Sequence, residues 1–368
     1  MENKQIFKVI LRPMNSYFFG NERNFLFEGS NYFARSSFWP QQTSVLGAIR
    51  YVLLKQNGFI PLSDGNRENA GLLIGPQSFN ISDEKLQVFG VIKSISPIFL
   101  ENKSGCLRAV EKDYGFAMET VLPGKVDFAG GKPKSYIPEL KGYDAKDGLP
   151  SGFANSDGLL VDDDQVYNKE SIIGIQKKKK DKNTPEEGFY KQEFIRLKND
   201  FEFFFYLTLK DNAKYTVTGE QNKVQIRIED DVFPVGAEKH CFQIRVEKTE
   251  NDDYQRFFEV KPSNKLRIIL VSDALVKEDL FDCCFWSVAE TTDFRNLMAS
   301  VSGTKYYNRM IKGVEDSKRE NLNRSQKFNL LKKGSVLHFE NSIARDIAIK
   351  KLNIESLRQI GMNHYILK

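Results

Sequence analysis

The sequence predicts an α+β protein made of two split βαβ units, with a long insertion in the first. Three observations predict it. The chain opens with a strand, an aromatic loop and a helix; regular patterning fades between about 103 and 188; and the chain closes with strands, a helix and a last strand. The units are expected to divide at 1–260 and 261–368.

The opening strand is FKVILRP, and the helix that follows is TSVLGAIRYVLLKQNG. Val45, Leu46, Ile49, Val52 and Leu53 recur on one face of a 3.6-residue period. Thr43 or Ser44 is placed to cap the first turn, and Gly58 stands where a left-handed C-terminal residue is wanted. The intervening loop, NSYFFGNERNFLFEGSNYFARSSFWPQQ, is too long and too aromatic for a mere connection.

Residues 86–101 (LQVFGVIKSISPIFLE) read as a strand broken at Gly90 and Pro97. The stretch 103–188 is rich in Gly, Asp, Lys and Pro, and reads as a hairpin or arm ordered by contacts elsewhere. Strong strand runs return with GFYKQEFIRL and FEFFFYLTL, followed by VQIRI, CFQIRVEK and YQRFFEV. The second unit is read from NKLRIILVSDALV, FWSVAETTDF and KKGSVLHFE, then the helix SIARDIAIKKL and the closing GMNHYILK. No repeat at a solenoid period is seen.

With 368 residues, 40% hydrophobic and 28% charged, the chain is long enough for a full core and has a globular composition. The start, MENKQIF, does not read as a signal peptide, and no run of about 18 apolar residues marks a membrane span. Cys106, Cys241, Cys283 and Cys284 fit neither a zinc pattern nor a disulfide framework, so a reducing cytoplasmic setting is expected. The net charge is only +5, yet residues 316–368 hold 11 Lys or Arg against 5 Asp or Glu. A basic end on a near-neutral body fits a polyanion held along one face, and equally ordinary solvated surface.

Signatures of catalysis are missing. His240, His338 and His364 form no metal-ligand spacing with each other or with cysteine. GKVDFAGGKP departs from a phosphate loop at Val126 and Pro133, and the run Asp162, Asp163, Asp164 reads as a solvated turn. No cofactor or metal is implied, and the protein is expected not to be an enzyme.

Four stretches have the chemistry of nucleic-acid recognition. The first is FFGNERNF with the helix entry PQQTS, where helix N–H groups meet aromatic rings. The others are IIGIQKKKKDKNTPEEGFYKQEFIRL, the glycine turn VFPVGAEKHCF, and LLKKGSVLHFE. Each also has a plain reading as core, cap or solvated loop.

In this order they resemble the subunit that caps the 5′ end of the guide RNA in type III-B (Cmr) CRISPR effector complexes, of the RAMP superfamily. The family's P-x-x-x-x-F-F strand end, D-G-R-x-F loop and P-P-S-T-L-x-G-A-L-R helix start are matched by Pro13 with Phe18 and Phe19, by GNERNF and by WPQQTSVLGAIR. Its G-I, L-Y-x-x-E-F-x-R-L, L-G-G-E-x-R, A-G-S-V-Y-x-F-E and G-x-N segments are matched by Gly174-Ile175, FYKQEFIRL, VGAEKHCF, KGSVLHFE and GMN. The chain departs at Asn21-Glu22, at Gln41-Gln42 and at Ala237, and the stretch 103–188 shows no resemblance until Gly174-Ile175.

The resemblance implies two ferredoxin-like (RRM-like) domains and a non-catalytic role. The partners it implies are the repeat-derived 5′ handle of the guide RNA, the large polymerase-like subunit and the backbone RAMP subunits, with target RNA met only indirectly and no membrane. Phosphate contacts are expected from Gln42, Thr43, Ser44, Arg50, Lys332 and Lys333, with Ser335 in the same turn. Stacking or loop contacts are expected from Phe19, Asn21, Arg23 and Tyr190. Lys177, Lys178, Lys179, Lys180 and Lys191 would line the hairpin, and Lys239 the glycine turn. The rival readings are a metal-free guide-processing endoribonuclease, for which His240 is the best acid–base candidate, and a protein-only scaffold.

Overall fold

A computed structural model of the chain describes residues 5–20, 32–63, 65–121, 137–155, 158–175, 189–210, 214–216, 223–236, 240–249, 265–296 and 325–368. The first unit opens with β1 (Gln5–Pro13), β2 (Tyr32–Arg35), α1 (Gln42–Gln56) and α2 (Arg67–Ile74). Short strands follow: β3 (Ile92–Ile95), β4 (Phe99–Asn102), β5 (Gly105–Ala109), β6 (Ala117–Val121), β7 (Ile137–Lys141), β8 (Phe153–Asn155) and β9 (Leu160–Val161). After α3 (Asp163–Val166) come β10 (Tyr167–Ile175), β11 (Phe189–Leu197), β12 (Glu202–Leu209), β13 (Lys214–Thr216), β14 (Lys223–Gln225), β15 (Asp231–Val235) and β16 (His240–Thr249). The rest comprises β17 (Arg267–Leu270), a 3-10 turn (Glu278–Cys283), β18 (Trp286–Val288), β19 (Thr291–Phe294), β20 (Phe328–Leu331), β21 (Val336–His338), α4 (Ser342–Leu352), α5 (Glu355–Gln359) and β22 (Tyr365–Leu367).

The main sheet runs β15-β16-β1-β12-β4-β5-β8-β9, with β3 also on β12. β1 is central and antiparallel to both β12 and β16. Helix α1 is amphipathic as its periodicity requires: Val45, Leu46, Ile49, Val52 and Leu53 are all buried in the large core. Its N-cap position is Gln41, without a side-chain cap, so neither Thr43 nor Ser44 caps it. Burying that stripe stabilises the unit by roughly 2 kcal/mol per large aliphatic side chain.

The expected unbroken insertion is corrected by the sheet. β5, β8 and β9 extend the main sheet beyond β4, burying Leu107, Phe153 and Ala154. Strands of two to five residues are too short for their alternation to be read. A separate three-stranded sheet, termed the arm, is built from β10, at the end of that insertion, with β11 and β2 from outside it. β10 and β11 pair along nine residues each, and β2 joins β11 in parallel.

The second unit is a four-stranded antiparallel sheet in the order β18-β21-β17-β22, covered by α4. Asn341 caps α4, its Oδ1 accepting from the Ala344 N–H. The boundary expected near 260 falls outside the described residues. The large core is continuous across the seam, taking in Phe294, Leu330, Leu357, Ile360 and Met362 from the C-terminal part.

An ionic clasp also crosses the seam. Glu111 and Asp113, after β5, face Arg267 on β17: Arg267 Nε donates to Asp113 at 3.1 Å and its Nη2 to Glu111 at 2.5 Å. Lys368 and Arg108 reach the other Glu111 oxygen at 2.7 and 2.9 Å, and His338 Nε2 lies 2.9 Å from Asp113. The His338 ring is itself stacked on Trp286. Burial alone would raise both carboxyl pKa values. These partners outweigh it and hold Glu111 and Asp113 below their usual range.

Candidate nucleic-acid interface

Two places gather aromatic rings and cations, the first of them beside the N–H groups of a helix start. The first is the seam beside the N-terminus of α1. Trp39 lies two residues before the N-cap, packed edge-on against Phe38 and near Phe153 and Phe203. Lys333, from the glycine turn after β20, sets its Nζ 4.1 Å from the Trp39 ring centre. Burial lowers the Lys333 amine to about 8, and the charge of Asp273 offsets this only in part. The turn is wedged in place: the Lys112 N–H donates to Gly334 O at 2.9 Å, and Gly334, at φ +87°, has Val110 O where a Cβ would go. Lys332 beside it is half-exposed, with Glu290 at 3.8 Å. Thr43 and Ser44 are half-exposed on the first turn of α1, whose N-terminal dipole end favours an anion.

Several residues expected in this interface are used within the chain instead. Gln42 is buried and donates from Nε2 to Ser96 O at 2.9 Å and Ile360 O at 2.8 Å, bolting α1 to the C-terminal segment. Ser335 is fully buried, its carbonyl accepting from the Leu270 N–H. Arg50 lies over the Phe89 ring and donates to Gln77 O at 2.9 Å; burial lowers its pKa to about 10. Phe19 packs in the core against Tyr17 and Phe242, its N–H donating to Ser36 Oγ. Each of these residues is held by apolar or hydrogen-bonded contacts within the fold.

The second place is the arm sheet. Tyr190 and Lys191 are exposed on β11. The Tyr190 ring covers Gly174, its cross-strand partner, where an added Cβ would lie 2.0 Å from the ring. On the opposite face, Lys191 Nζ and the Arg35 guanidinium lie 5.0 and 4.8 Å from the ring centre of Phe33. Sequence alone does not single out Phe33 and Arg35. Their only signal is the alternation in YFAR, hidden inside the aromatic loop.

Asn21, Arg23, Lys177, Lys178, Lys179, Lys180 and Lys239 lie outside the described residues. The histidines are dispersed. His240 packs edge-on against Phe194, and His338 belongs to the clasp. His364 is buried, with its pKa lowered to about 3 by burial and by Arg358. A small cleft between Arg12, Arg196 and Lys198 is also basic, but these cations already meet Glu202, Glu170 and the Asp164 carbonyl.

The whole-chain comparison decides what kind of protein carries these features. The model of the family described as "CRISPR-associated protein (Cas_Cmr3)" matches residues 9–110 and 116–367. The chain belongs to the Cas_Cmr3 family. It is thus a Cmr-type CRISPR subunit.

No curated protein sequence matches this Cas_Cmr3 member. Among solved structures it is similar in fold to a chain of the type III-B Cmr-beta complex bound to cognate target RNA, with 12% identity, TM-score 0.50 and 98% of each chain covered. A second state of that complex, with target RNA and AMPPnP, gives 11% identity, TM-score 0.49, and 98% and 99% coverage. A chain of a Csm3–Csm4 subcomplex of the type III-A system gives 10% identity, TM-score 0.34, and 91% and 93% coverage.

Proposed function

We propose that the chain is a non-catalytic subunit of a type III-B RNA-guided effector complex. It binds and caps the 5′ handle of the guide RNA, and docks the large polymerase-like subunit to the backbone filament in the cytoplasm. The observation that carries this reading is the family match along nearly the whole chain. The strand orders support the fold that goes with it. β16-β1-β12-β4 and β22-β17-β21-β18 both follow the 4-1-3-2 order of a split βαβ unit, the ferredoxin-like arrangement.

Within the proposal the phosphates of the handle meet Thr43, Ser44 and Lys332 at the α1 seam, and Tyr190 and Lys191 contact RNA from the two opposite faces of the arm. The RNA contacts expected of Asn21, Arg23, Lys177–Lys180 and Lys239, which lie outside the described residues, are kept as part of the proposal. Gln42, Arg50, Phe19 and Ser335 are assigned to holding that surface in shape.

The test is binding of the full chain to a guide-type RNA with its repeat-derived 5′ segment, against the same RNA with that segment scrambled. Tighter binding of the intact 5′ segment is expected, with RNA length unchanged on incubation. Lys332→Ala should weaken binding and reduce the slope of log affinity against log salt by about one. Equal binding of both RNAs would contradict capping. Shortening of the RNA that His240→Ala abolishes would put the endoribonuclease reading in its place.

A further inference from the structure

One face of the arm sheet has a composition that packing does not explain. Ile173 on β10, Lys191 on β11 and Phe33 on β2 stand directly opposite one another in a single row. The next residues on the same face, two along each strand, are Ser171, Glu193 and Arg35. Phe33 is 38% exposed and Ile173 71% exposed. Both cations sit within 5.0 Å of the Phe33 ring centre, and Glu193 is the only carboxylate among the six residues.

An exposed phenyl ring costs free energy while it faces water, and two like charges drawn to one ring repel each other. Both costs are relieved by a ligand that has a planar apolar face and carries negative charge. A nucleotide in a single strand is such a ligand: its base stacks on the ring, and its phosphates neutralise the cations. Paired bases have their faces covered by neighbours, so the strand must be single.

We propose that this face of the arm stacks a base of single-stranded RNA on Phe33, with Arg35 and Lys191 holding the flanking phosphates and Ile173 bordering the platform. The inference rests on the RNA-binding reading above and assigns to it a contact surface formed by β2 and β11. Joining β2 in parallel to β11 creates the site, since Phe33 and Lys191 are far apart in the chain.

The test is fluorescence anisotropy of the full chain with a labelled single-stranded guide-type RNA across a range of salt concentrations, circular dichroism confirming that each variant is folded. Phe33→Ala is expected to weaken binding about tenfold without changing the salt slope. Phe33→Trp should keep the affinity and show emission quenched by RNA beyond that of the wild-type chain. Arg35→Gln and Lys191→Gln should each lower the salt slope by about one. Wild-type affinity in Phe33→Ala would overturn the stacking site while leaving RNA binding by the chain intact. An unaltered RNA affinity together with failure of Phe33→Ala to assemble with partner subunits would make the face a protein contact, and also overturn it. Absence of RNA binding by the wild-type chain would overturn this site and the function it rests on together.

Discussion

Gly361→Ala is expected to destabilise the protein by about 3 kcal/mol or more. Gly361 has φ +85°, and an added Cβ would lie 1.9 Å from Gln42 Nε2 and 2.4 Å from Ser96 O. The methyl group would therefore force the Gln42 amide off the two carbonyls it joins, opening the junction between α1 and the C-terminal segment. Thermal or urea denaturation measures the loss. Gly47→Ala is the matched control: Gly47 lies within α1, and a methyl group added there would have nothing within 4 Å. It should stabilise by about 0.5–1 kcal/mol through helix propensity alone. A Gly361→Ala variant as stable as wild type would show that the Gln42 bolt contributes nothing.

Arg267→Ala is expected to cost about 3 kcal/mol, because it leaves two buried carboxylates facing each other without their shared cation. Acid should act on the same clasp. The folded-state pKa values of Glu111 and Asp113 lie below the ordinary 4.5 and 3.8, so their contribution is complete above about pH 4.5 and is lost as pH falls through the lowered values. Denaturation midpoints of wild type should thus drop on acidification below that range. Those of Glu111→Gln/Asp113→Asn should be lower at pH 7 and change less with acid. A wild-type stability that stays level from pH 7 to pH 3 would contradict this account of the seam.

What can be read from sequence follows the length of each pattern. α1, β1, β11, β12 and α4 each supply a run long enough to be read, whereas β10 falls in the stretch where patterning fades. β5, β8 and β9 are hidden by brevity, so part of the main sheet reads as insertion. Site residues divide differently. Gln42, Ser335 and Gly361 fall in motifs that point toward RNA, yet in the fold they close the seam. Their burial depends on the C-terminal segment meeting Ser96 and α1, a contact between residues remote in sequence. Phe33 and Arg35 escape sequence reading for the opposite reason: a four-residue strand has too few alternations to be read, and its partner strand lies far along the chain.

The most direct test of the central claim is affinity purification of the tagged chain from cells carrying its native neighbouring genes, followed by sequencing of the co-eluting RNA. Guide RNAs sharing one 5′ handle, recovered with related subunits and depleted when Lys332 and Lys191 are both replaced by alanine, are the predicted result. Recovery of the chain free of RNA, or with RNAs that share no common 5′ end, would contradict it.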